Sequence, residues 1–186
     1  MNTKNHRAVS AFRPIAWTAL VVLALTTTHR LRAEDYAREP NLPSPVCDSL
    51  QVPDGNEVAF HVYAIGVQIY QWNGTSWVFI APAAMLFADA GYHGQVGIHY
   101  AGPTWQSNSG SKVVGTRLAA CTPDTGSIPW LKLSGVSSGP GVLDGVTFVQ
   151  RIHTVGGKAP STPGTTAGQQ AEVPYTAEYV FYRATN

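Results

Sequence analysis

Beyond residue 57, no twelve-residue window of this chain carries a helical apolar period free of Gly and Pro. Gly and Pro cost about 1 and 3 kcal/mol inside a helix, so segments broken this often are extended or turning. The apolar pattern agrees. Val58, Phe60, Val62 and Ala64 alternate with Ala59, His61 and Tyr63, the two-residue period of a half-buried strand. After Gly66 the chain continues extended through Val67-Gln68-Ile69-Tyr70-Gln71-Trp72. Asn73-Gly74 then supplies the positive-φ pair of a type I′ hairpin. Ser76–Ala81 returns antiparallel, which sets Trp72 against Trp77 as a cross-strand aromatic pair.

Further strands are predicted at Ala84–Phe87, Gly94–Tyr100, Lys112–Ala120, Pro129–Leu133, Val146–His153 and Val173–Tyr182, divided by turn-formers such as Asp89-Ala90-Gly91 and Asn108-Ser109-Gly110. Residues 57–186 therefore predict one all-β domain, a single antiparallel sandwich or barrel of about eight short strands with little helix. A hydrophobic content of 44% against 12% charge suffices for a packed core. Residues 34–56, punctuated by Pro40, Pro43, Pro45 and Pro53, read as an extended, partly loose lead-in. Residues 155–171 are too long for an ordinary hairpin connection, which predicts either a mobile stretch or a functional surface loop.

Residues 1–33 have a different character. Lys4, Arg7, Arg13, Arg30 and Arg32 bracket the apolar run Ile15–Leu25, and no acidic residue occurs there. The run is far short of the roughly 20 residues that span a bilayer. A basic head, a short apolar centre and a small residue at a cut site predict a secretory signal. Cleavage is expected after Ala33, with Ala37 as the alternative and an uncleaved anchor as a weaker third reading. The expected location is secreted, or periplasmic in a Gram-negative host, with no stable transmembrane span after cleavage. Beyond the signal, seven basic residues face eleven acidic ones, a net charge of about −4. Phosphate-backbone binding needs clustered Lys and Arg, so nucleic acid is a poor partner. Cys47 and Cys121 can pair in an oxidising compartment, or remain as two buried thiols.

Several motifs fail the structural test that their chemistry needs. Gly135-Val136-Ser137-Ser138-Gly139 spells a nucleophile elbow, and Asp144 and His153 follow in the hydrolase order. That motif works on a strand-turn-helix, and Pro140-Gly141 follows at once. No dinucleotide or phosphate loop is present, so no cofactor is expected. Glu172 and Glu178 frame the last strand, which is a weak basis for a glycosidase pair. His93, His99 and His153 are weak metal candidates, since their spacing matches no ligand motif and ordinary imidazoles are commoner. The segment His99-Tyr100-Ala101-Gly102-Pro103-Thr104-Trp105 gathers an imidazole, a phenol and an indole around a turn, which suits stacking on a carbohydrate or small aromatic ligand. Burial of Trp105 as a plug of the core is the stronger competing reading.

The chain resembles the secreted protein family catalogued as domain of unknown function 3455. The matching phrases are Gly66–Tyr70, Trp77 leading to Ala81-Pro82, His99–Trp105, Gly110–Gly115, Ile128–Leu131, Val149–Arg151, Thr154–Pro160 and Val173–Tyr179. The resemblance implies export and a β-rich fold, and supplies no activity or catalytic residue. The resemblance implies that relatives often carry a Cys after the Gln-x-Tyr strand and another after the Gly-Gly-x-Ala-Pro loop. Trp72 and the stretch 161–164 occupy those places here, so a staple for the long loop is missing.

The resulting expectation is a ligand-binding or surface-associated module without enzymatic activity. His99, Tyr100 and Trp105 are its candidate contacts, with Arg151 as an anion or hydrogen-bond partner and Lys112 behind it. An extracellular enzyme with a His-centred or metal-dependent site, and a structural envelope or wall protein, are the alternatives.

Overall fold

A computed structural model describes residues 38–185. The expected signal, with both of its cut sites, lies outside the described residues. Eight antiparallel strands follow one another: β1 (Asn56–Trp72), β2 (Trp77–Phe87), β3 (Gln95–Tyr100), β4 (Thr104–Ser107), β5 (Lys112–Cys121), β6 (Trp130–Ser138), β7 (Val146–Gly156) and β8 (Gln170–Ala184). Each pairs with its neighbours in chain order, and β8 pairs back onto β1, so the sheet is a closed barrel. Closure removes the unpaired edges that an open sandwich would leave.

The strands are longer than the turn signals suggested. β1 runs 17 residues straight through Gly66, because it must pair with β2 on one side and β8 on the other. A Cβ at Gly66 would lie 2.1 Å from the Ala83 carbonyl oxygen, so the wall pinches there and only glycine fits. β2 is likewise continuous through Pro82, where two separate strands were expected. The four-residue β4, Thr104–Ser107, was not among the expected strands.

The inward row of β1 is Phe60, Val62, Ala64, Gln68 and Tyr70; a bulge between Val58 and Phe60 turns Val58 to the outside. The interior core is completed by Leu86, Trp105, Val113, Leu133, Val149, Tyr175, Ala177, Tyr179 and Phe181. An aromatic chain crosses it. His99 stacks on Trp105 at 4.5 Å, Tyr179 meets both edge-on, Trp105 meets Phe181 edge-on, and Phe181 stacks on Phe60.

Among the described residues of the lead-in, 44–50 are turned and packed down rather than extended. Residues 44–50 turn and end in one short 3₁₀ turn, with Cys47 and Leu50 fully buried against the outer wall. They pack on Val58, Cys121, Trp130, Ile152, Val180 and Tyr182, a second core outside the barrel. Cys47 and Cys121 form a disulfide. Gln150 Nε2 donates to the Leu50 carbonyl at 2.7 Å, and Lys132 Nζ to that of Gln51 at 2.7 Å. The lead-in is thus a strap over β5–β8.

The loop between β7 and β8 is held without a staple. Trp72 exchanges backbone hydrogen bonds with Gly168 and Gln169, Trp77 Nε1 donates to the Thr162 carbonyl at 2.9 Å, and Lys158 Nζ reaches the Thr125 carbonyl. Trp72 and Trp77 meet edge-on at 5.5 Å, as the hairpin pattern implied. Gly164 lies flat on Trp72, where an added Cβ would come within 2.5 Å of the indole. Indole packing thus holds the loop at Trp72.

Candidate functional site

The barrel narrows to a cavity of about 470 Å³ at the end formed by the β1–β2, β3–β4, β5–β6 and β7–β8 connections. Inward parity brings Gln68 and Tyr70 from β1, His99 from β3, Trp105 from β4, Leu133 from β6, Arg151 from β7 and Tyr179 from β8 to its wall. Phe79, Ile80, Pro82, Pro103 and Pro129 line its lip. Of the residues singled out by sequence, His99, Trp105 and Arg151 converge. Tyr100 and Lys112 do not line it: the Tyr100 hydroxyl donates to Gln106 Oε1 at 2.9 Å, and Lys112 pairs through its backbone with Gln106 and Ser138.

His99 is buried, and its Nδ1–H donates to the Thr104 carbonyl at 2.9 Å, which leaves Nε2 as the lone-pair nitrogen. Burial holds its pKa down at about 3, against the lesser upward pull of the Thr104 bond, with the Arg151 charge lowering it further. The ring is therefore neutral at ordinary pH. Arg151 Nε and Nη2 both donate to the Pro129 carbonyl, at 3.2 and 2.8 Å. Its charge also acts on Tyr70, Tyr175 and Tyr179, whose hydroxyl pKa values are each raised chiefly by burial. The Tyr70 hydroxyl donates to the Gly157 carbonyl at 2.7 Å.

Two buried polar atoms of these wall residues lack an aligned partner. Gln68 Nε2 and Trp105 Nε1 make no aligned hydrogen bond, although the residues are only 2% and 1% exposed; the Tyr175 hydroxyl is the polar group within reach of Gln68. Leaving a buried donor unmet costs about 1–3 kcal/mol. Sequence reasoning passed over Gln68, Tyr70 and Tyr179. Gln68 carried a signal, because it is the one polar residue in the inward row of β1.

The remaining candidates are scattered. His93 lies with Asp89 at 3.1 Å in the β2–β3 loop. His153 occupies a bulge with φ of 46°, which swings it to the outer wall. There its Nδ1 lies 3.1 Å from Glu178 Oε2, and His61 Nε2 approaches the same oxygen to 2.9 Å, though poorly aligned for a hydrogen bond. Against the cost of partial burial, the two imidazoles hold the Glu178 carboxyl down at about 2, and Glu178 in turn raises His153. Among the described residues no cluster suited to a metal ion is found. Ser137 lies on β6 and its Oγ accepts the Gly145 N–H at 3.0 Å; no helix follows, so the elbow reading fails.

The family model described as "Protein of unknown function (DUF3455)" matches residues 53–183, which takes in every residue of the cavity wall. No curated protein and no solved structure matches the chain.

Proposed function

We infer, for a chain that belongs to the DUF3455 family of proteins of unknown function, that the barrel is a binding module for a small molecule held in its polar mouth. The observation that carries this reading is the unmet donor Trp105 Nε1 beside Gln68, whose Nε2 has only the poorly aligned Tyr175 hydroxyl for a partner, both on residues that line one cavity. Buried donors are normally satisfied, and a ligand acceptor would satisfy both. The volume fits a ligand of one or two rings, and small eight-stranded barrels are wide enough to hold one such molecule. The exposed Phe79 ring at the lip suits an aromatic or carbohydrate body. The disulfide fits an oxidising compartment, in line with export as a secreted or periplasmic protein.

Catalysis by His99 is the weaker reading. A base with a pKa of about 3 takes up few protons near neutrality, and no carboxylate lines the cavity beside it. A panel of small aromatic compounds and sugars, followed by Trp fluorescence and thermal shift, tests the binding function. A saturable change in wild type that Gln68→Leu abolishes is expected. No response across the panel would remove the reading.

A further inference from the structure

The cavity wall carries positive charge with nothing to balance it. Arg151 and Arg117 both line the mouth, and neither an aspartate nor a glutamate does. Among the described residues neither arginine forms an ion pair, and Arg151 directs two of its N–H groups at a neutral carbonyl. A half-buried guanidinium without a counter-ion is unusual, since charges taken from water are normally paired. The only buried imidazole in the wall is neutral, so it adds no charge to that of Arg151.

The unmet groups point the same way. The Trp105 indole can only donate, and the Gln68 nitrogen likewise offers hydrogens. A ligand that meets these atoms and the arginine must present lone pairs and negative charge. A carboxylate offers about four lone-pair sites on two oxygens in one plane, enough to accept from all three. The rest of the wall and lip is apolar, with Phe79, Ile80, Pro103, Leu131 and Leu133 around the polar group. An inorganic anion would leave that surface uncovered.

We propose that the polar mouth selects a carboxylate carried on a small flat apolar body, with Arg151 as its counter-charge and Trp105 Nε1 and Gln68 Nε2 as its neutral donors. This rests on the cavity being a ligand site, and adds the chemistry of what enters it. Gln68 and Trp105 are almost fully buried, on β1 and β4, whereas Arg151 reaches the Pro129 carbonyl at the lip, so the carboxylate lies between them.

The test uses four probes by titration calorimetry on the folded protein: benzoate, benzamide, benzylamine and inorganic phosphate. Benzoate is expected to bind about tenfold or more tightly than benzamide, with benzylamine and phosphate weaker still. Arg151→Gln should collapse the benzoate–benzamide gap, and Arg151→Lys should keep part of it, because the charge survives without the fork. Trp105→Phe retains the ring and removes the donor, so it reads the proposal even if Arg151→Gln fails to fold. It should weaken benzoate by about fivefold or more. Benzamide binding as tightly as benzoate would overturn the charge selection and leave the ligand site standing. Tighter binding of benzylamine or of phosphate would overturn the proposal in the same way. No binding of any probe would overturn the proposal together with the reading beneath it.

Discussion

At one end of the barrel Gln68, His99, Arg151 and Tyr179 converge on a cavity; at the other, Phe60, Val62, Leu86, Val96, Leu143 and Phe181 enclose about 400 Å³ of almost wholly apolar space. Both ends are built by the same strands. Along β1 the inward row changes from Phe60, Val62 and Ala64 to Gln68 and Tyr70 as it passes Gly66. Along β7 it changes from Val146 and Val149 to Arg151, and along β8 from Phe181 to Tyr179 and Tyr175. Three strands thus make the transition, with the contacts of Trp105 to Tyr179 and Phe181 between the two ends. A barrel can therefore keep one end for stability and give the other to polar groups that cost stability, provided a closely packed layer divides them.

The layer itself should show the largest effect. Trp105 touches His99, Tyr179 and Phe181, and Trp105→Ala should cost about 3–5 kcal/mol, measured as a shift of the urea midpoint. A cost below about 1 kcal/mol would mean that the two ends are not separated by packing at all. The strap comes next. It is fastened 74 residues along the chain by Cys47–Cys121 and holds Gln150, the neighbour of Arg151, through Leu50. The Cys47→Ala, Cys121→Ala protein should lose about 2–4 kcal/mol and bind ligand at the polar end more weakly.

Acid should act on the polar end through His99. Its folded pKa of about 3 lies below the unfolded value near 6.5, so the unfolded chain takes up the proton first. The stability associated with neutral His99 is complete above pH 6.5 and falls by at most about 1.4 kcal/mol per pH unit down to about 3. Glu178 adds to the loss only below about pH 4.5. The slope between pH 6.5 and 4.5 should flatten in His99→Phe, and an unchanged slope would assign the acid sensitivity elsewhere. The smallest effect is the most telling. Gln68→Leu removes a poorly satisfied buried donor, so stability should change by no more than about 1 kcal/mol while binding is lost. Leu143→Ala at the apolar end should do the reverse, costing about 2–4 kcal/mol with affinity unchanged.

Much of the barrel could be read from alternation and turn chemistry. The Asn73-Gly74 hairpin and the inward faces of β1 and β8 follow from a period of two, and the all-β class follows from the breakers. Closure did not follow, because whether β8 returns to β1 is a matter of strand number and tilt rather than of any local pattern. Bulges hid more. The one between Ile152 and Val155 turns His153 outward to Glu178, and the one at Val58 reverses parity where β1 begins. The strap was missed because its burial depends on a surface made by β5–β8, far along the chain. For the site, Arg151 and the His99–Trp105 turn stood out as unusual residues on a strand or at a turn. Tyr179 looked like one more aromatic of a strand, and its place beside Arg151 is set only by the β7–β8 register.

The Trp105 indole N–H is the atom on which the account turns, and its proton resonance can be followed alone by comparing ¹⁵N-labelled wild type with Trp105→Phe. Titrating benzoate should shift that resonance downfield in a saturable way, as the unmet donor acquires an oxygen partner, and benzamide should move it less. An indole resonance that stays fixed while benzoate binds would place the ligand elsewhere and contradict the account.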